Sequence, residues 1–152
     1  MANDDRFGHS LALVGGDLVF DKQSDGTHTL REIGGVDNLF QALKLRVETP
    51  LGDDRFNVSY GLDYARIFGQ TGGLRMTKEV VRLNLVRTLG TDPRVRDVRE
   101  IAFEDEPAFL ARHPEASQRT VDEARRRRAW RVDVTIETVD GDVTTVPIEL
   151  GG

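Results

Sequence analysis

Hydrophobic and polar positions alternate differently along the chain, and each change of period marks an element. "DLVFD" and "THTLREI" flank the turn-rich "KQSDGT" and predict two short strands, an N-terminal hairpin over residues 17–33 with irregular register. Gly34-Gly35 ends the second strand. Asp37 stands where it can cap a helix whose Leu39, Phe40, Leu43 and Val47 fall on one face, and Pro50 stops that helix. Phe56, Val58 and Tyr60 then alternate toward one side, as in a short extended piece. Tyr64, Ile67 and Phe68 predict a helical turn that Asp63 can cap. After the flexible "GQTGGL", Thr77 is placed to cap a second helix, with Val81, Leu85 and Leu89 on one stripe and Val80, Leu83 and Val86 beside it.

That helix must stop at Gly90, a natural C-terminal cap. Pro93 lacks an N–H and restricts the residue before it, so Asp92-Pro93-Arg94 is a corner. Val95, Val98 and Ile101 have the three-residue spacing of a helical turn, whereas Ile101 and Phe103 alternate, which predicts a turn leading into a strand over 99–104. Residues 105–128 carry two prolines, few large apolar residues and mixed charge, and read as a surface insertion with a short helix near 119–128. Trp130, Val132, Val134, Ile136 and Thr138 alternate with polar residues, as a half-buried strand requires, and Trp130 is expected in the core. The partner strand is "VTTVPIEL". With Asp140-Gly141-Asp142 as the loop, Ile136 faces Val146, Val134 faces Ile148 and Val132 faces Leu150. Pro147 makes this last strand an edge, which can recruit another chain. The sum is an α+β fold: a small mixed or antiparallel sheet, two main helices and a C-terminal β-hairpin, in one domain spanning 1–152.

The length of 152 residues suits one domain with a real core. The chain has no cysteine, so disulfides, zinc-thiolate sites and cysteine nucleophiles are excluded. No stretch approaches the ~20 apolar residues of a membrane span, and the first thirty residues contain Asp4, Asp5, Asp17 and Asp21 with no apolar run near signal-peptide length, so synthesis in the cytoplasm is expected. A net charge of −5 argues against nucleic-acid binding, which needs clustered positive charge. The one basic cluster, Arg125 to Arg128, reads either as a dock for an acidic neighbour or as a solvated helix end complementing the helix dipole.

No constellation for chemistry emerges. Ser10, Ser24, Ser59 and Ser117 lack a nucleophile elbow, and His9, His28 and His113 are scattered without ligand spacing, so neither a metal nor a cofactor is expected. "GQTGGLRMTK" lacks the phosphate-loop spacing. Glu48 with Asp63 can be drawn as a glycosidase pair, but two acids in an acidic chain do not make a cleft.

Three pieces in order, "YGLDY", "KEVVRLNLVRTLGTDPRV" and the following strand, resemble the gene-25-like baseplate wedge family of contractile phage tails, type VI secretion baseplates and extracellular contractile injection systems. In that family a Tyr-Gly segment precedes a helix that ends at a Glu-Pro-Arg triplet followed by a strand. Here the triplet is Asp92-Pro93-Arg94, with the shorter acid. The resemblance covers residues 36–104, and the C-terminal hairpin fits the family's end; the N-terminal hairpin and the 105–128 insertion depart from it.

The resemblance implies a non-enzymatic structural subunit, six copies per particle, made in the cytoplasm and built into a baseplate. Its implied partners are other wedge subunits and the sheath protein, with the tube or spike hub as a further candidate, and neither nucleic acid nor membrane insertion is implied. Sheath assembly would be nucleated by strand addition along Val146, Ile148 and Leu150. Some relatives carry a lysozyme label, so a peptidoglycan-cleaving enzyme is the alternative, and a small accessory binding module is a third reading. At the corner, Asp92 and Arg94 either present charge to a partner chain or brace their own domain. Tyr60 and Gly61 are either a contact or a core tyrosine beside a turn glycine.

Overall fold

The structure is a computed structural model that describes residues 5–69, 71–116 and 129–151. It holds helices and several small antiparallel sheets, and the fold is α+β. The chain divides into two compact units, Met1–Lys44 and Leu45–Gly152.

The first unit is a β ribbon and most of a helix. Its strands β1 (His9–Leu11), β2 (Leu13–Val14), β3 (Asp17–Leu18), β4 (Phe20–Lys22), β5 (His28–Leu30) and β6 (Glu32–Gly34) pair antiparallel as β1 with β6, β2 with β3 and β4 with β5. The expected hairpin is present in its inner part, where Phe20 faces Leu30 around the turn. Its outer ends are not paired with each other. Asp17–Leu18 and Glu32–Gly34 instead pair with strands over His9–Val14, a short and mainly apolar run without a clear polar alternation. Helix α1 (Gly35–Glu48) begins before Asp37, which lies in the first turn rather than at the cap. In this unit the Asn38 amide donates to Phe7 O at 2.7 Å, and Gln41 accepts the Leu13 N–H at 2.8 Å. These side chains satisfy ribbon groups that the short ladders leave over.

In the second unit, α2 (Tyr64–Phe68) starts at Asp63, whose carboxylate accepts the Arg66 N–H at 3.0 Å, as its N-cap role predicts. Helix α3 (Gly73–Leu89) starts a turn earlier than Thr77. That hydroxyl donates to Gly73 O inside the helix, so it competes for a carbonyl instead of capping. Val81, Leu85 and Leu89 are buried along one stripe, each contributing about 1.5–3 kcal/mol by removal from water. Leu83 and Val86 fall on the exposed side.

The sheet of this unit has the order β7-β8-β9, with β7 (Val95–Phe103), β8 (Trp130–Thr138) and β9 (Val143–Leu150) all antiparallel. Strand β7 runs from Val95 without the predicted helical turn. Its register against β8 shifts between Val95 and Asp97 and again between Val98 and Glu100. Val95, Val98 and Ile101 are therefore opposite Thr138, Ile136 and Val134: three-residue steps on one strand match two-residue steps on the other. Two β-bulges produce the spacing that resembles a helix.

The β8–β9 register also differs from expectation. Val132 faces Ile148, Val134 faces Val146 and Ile136 faces Thr144. Gly141, with φ at 90°, occupies the last position of a loop made of Val139, Asp140 and Gly141, and its N–H donates to Thr138 O at 2.9 Å. A loop of 140–142 would put the glycine in the middle, away from the left-handed position that needs it. The slip of two residues leaves the same side chains on the core face. Strand β9 lies at the sheet edge, as Pro147 requires.

The described part of the 105–128 segment, expected as a surface insertion, is anchored by a buried side chain. Helix α4 (Pro107–Arg112) buries Phe109, and the His113 ring packs 4.3 Å from it. The helix expected near 119–128 and the arginines 125–128 lie outside the described residues. Trp130 is half-buried and meets the buried Phe103 edge-on at 5.7 Å.

Candidate functional site

The two motifs that stand 30 residues apart in sequence, Tyr60-Gly61 and Asp92-Pro93-Arg94, meet in the second unit around a residue that neither contains. Arg46 lies in the last turn of α1, with its side chain 14% exposed. Its guanidinium sits 4.6 Å from the centre of the Tyr60 ring, donates to Thr91 Oγ1 at 2.6 Å and stands 3.8 Å from the Asp92 carboxylate. A cation stacked on one motif and paired with the other ties them together. The signal was present in the sequence: Leu39, Leu43 and Arg46 form an i, i+4, i+7 series, so a charge interrupts an apolar stripe.

The corner itself closes on its own chain. Asp92 is 2% exposed, and its carboxylate accepts the Arg94 N–H at 3.0 Å, Nε at 2.9 Å and the terminal NH2 at 2.8 Å. The short acid reaches these donors because they are only two residues away. Burial pushes the Asp92 carboxyl up, but the side-chain and backbone hydrogen bonds from Arg94, with the charges of Arg94 and Arg46, outweigh it and hold the group below the usual carboxylate range. Arg94 is raised in turn, first by its hydrogen bond to Asp92. Of the two readings of this corner, the geometry makes Asp92 an internal brace, since a carboxylate this buried cannot present its charge to another chain. Pro93 fixes the backbone between the two charged residues.

Gly61 has φ at 112°, and a Cβ there would lie 2.5 Å from Thr49 O and 2.8 Å from Pro50 O. Only glycine allows this approach, which lets the Leu62 N–H reach Thr49 O at 2.8 Å and the buried Thr88 hydroxyl reach Gly61 O at 3.1 Å. Tyr60 is half-buried; desolvation raises its hydroxyl's pKa, against the lowering effect of Arg46. Tyr60 and Gly61 thus stand at the end of a loop clamped to α1 and α3. Phe56 and Val58 in that loop do not form the expected strand. Asp54 and Asn57 build turns instead, and both apolar side chains face water.

Val146, Ile148 and Leu150 are all buried, so their side chains belong to the core and are not themselves a contact surface. What β9 offers is main chain. Because Asp142 and the even-numbered residues pair toward β8, the odd ones direct their backbone groups outward: N–H from Val143, Thr145 and Glu149, with none from Pro147. Among the described residues no strand occupies this edge. Also among them, no three His, Asp or Glu side chains cluster as metal ligands, and no helix is long and apolar enough to cross a membrane.

No protein-family model matches the chain, and no curated protein matches it significantly.

Proposed function

We propose that this protein is a non-enzymatic baseplate subunit of a contractile injection machine, made in the cytoplasm, that joins wedge components and starts sheath assembly by strand addition. The observation that carries this reading is the edge of β9, which no other strand occupies among the described residues and which is backed by a buried apolar face. A strand laid along it gains main-chain hydrogen bonds to Val143, Thr145 and Glu149, and its alternate side chains extend the core beside Val146 and Ile148. The convergence of Tyr60-Gly61 and Asp92-Pro93-Arg94 on Arg46 supports the same reading, because the residues behind the wedge-family resemblance form one braced unit. The brace holds the sheet's entry corner in place: the Arg94 carbonyl accepts the Val139 N–H at 3.0 Å, linking the corner to the end of β8.

Deleting β9 would strip the core, so the edge is tested by substitution. Thr145→Pro removes an outward N–H and leaves the β8 ladder intact. In the cell that makes the particles, the expected outcome is baseplates or bare tubes lacking sheath, from a protein that remains folded by circular dichroism. Normally sheathed particles would remove this role from β9.

A further inference from the structure

The loop from Pro50 to Leu62 is closed by hydrogen bonds and buries Leu62 at its end, yet displays Leu51, Phe56 and Val58. Its base is pinned by the Leu51 N–H to Leu62 O at 2.9 Å and the Leu62 N–H to Thr49 O at 2.8 Å. Its interior is built on Asp54, which accepts the Phe56 N–H at 2.8 Å and the Asn57 N–H at 3.2 Å, and on the Tyr60 N–H to Asn57 O at 2.9 Å. Arg46 holds its end through the Tyr60 ring. From this frame Phe56 projects with its whole surface exposed, 101% of the reference value, followed by Val58 at 68% and Leu51 at 41%.

A backbone braced by these hydrogen bonds has less conformational freedom to lose, so a partner that covers Phe56 gains apolar burial at a reduced cost of ordering the loop. Buried aromatic anchors dominate the energetics of protein interfaces. Charge narrows the occupant. Residues 48–63 carry Glu48, Asp53, Asp54 and Asp63 against Arg55 alone, which repels an anionic membrane surface and suits a basic rim.

We propose that this loop is a preformed docking finger that inserts Phe56, flanked by Val58, into an apolar cleft of another protein whose rim is basic where it meets Asp53. The contact is separate from the β9 edge and does not depend on strand addition.

The test places photo-reactive p-benzoyl-phenylalanine at position 56 of the full chain in the cell that makes it, and maps the adducts by mass spectrometry. In parallel, the Phe56→Ser/Val58→Ser variant and Asp53→Lys are compared with the parent for co-purification of the cross-linked protein, melting temperature and flotation with phosphatidylglycerol vesicles. Expected are an adduct to an apolar peptide of a different protein flanked by Lys or Arg, and co-purification weakened at least about tenfold by the double variant and also reduced by Asp53→Lys, with melting temperatures unchanged. The proposal is overturned by an adduct confined to lipid or to a second copy, by a polar or acidic contact peptide, by the absence of any adduct, or by vesicle flotation that depends on Phe56. It is equally overturned by a lowered melting temperature of the double variant, which would place Phe56 in the packing of its own chain.

Discussion

Arg94 closes on Asp92, two residues behind it, with its backbone N–H, Nε and one terminal nitrogen all within 3.0 Å of the same carboxylate. Because Asp92 is buried and Arg94 half-exposed, removing the guanidinium leaves a buried charge with less compensation. Arg94→Ala is expected to lower unfolding free energy by about 2 kcal/mol in urea titrations, and Arg94→Lys to recover only part, since an ammonium cannot reproduce the fork. An unchanged midpoint would show that the pair contributes nothing to the monomer.

The depressed Asp92 carboxyl makes this contribution pH-dependent in a defined direction. Its stabilisation is fully present above the unfolded-state value of about 3.9 and is lost as pH falls through the lower folded value, because the unfolded chain takes up its proton first. Urea midpoints measured from about pH 6 down to about pH 3 should therefore fall more steeply for the parent than for Asp92→Asn, which is less stable at neutral pH but lacks this group's titration. Parallel curves would remove Asp92 from the acid response.

Gly61→Ala tests the clamp at the loop's end. The added methyl would lie within 2.8 Å of Thr49 O and the Pro50 carbonyl, in a backbone conformation that alanine disfavours. A loss of about 3 kcal/mol or more is expected. Hydrogen exchange at Leu51 and Leu62 should rise, since their amides form the base that the methyl pushes apart.

Two phenylalanines offer opposite expectations. Phe109 is buried in α4, and Phe109→Ala should cost about 3–5 kcal/mol and open the 105–116 segment to limited proteolysis. Phe56 is fully exposed, so thermal unfolding of Phe56→Ser should match the parent. Equal effects at the two positions would contradict the assigned burial of both.

What was legible in the sequence follows from how local the cause is. The α3 stripe of Val81, Leu85 and Leu89 depends on one period and was readable, as was the Asp63 cap. The inward face of β8 was legible, but its register was not, because that turns on which loop position receives Gly141. Strand β7 was misread where bulges insert residues, since an alternation interrupted twice looks like a period of three. Around the site, Tyr60-Gly61 and Asp92-Pro93-Arg94 could each be marked, but not their union. Arg46 bridges them through space, and its only trace is a charge set among Leu39, Leu43 and Val47.

The bulges of β7 give the sheet a direction. One rim, β9, pairs with β8 in an unbroken register, whereas the other, β7, shifts register against β8 at two places. A bulged strand is a poorer template for another strand than a regular one, so β7 is the less suited of the two rims to strand addition. The two long rims of one small sheet thus differ in kind, and strand addition is favoured at one of them over the other.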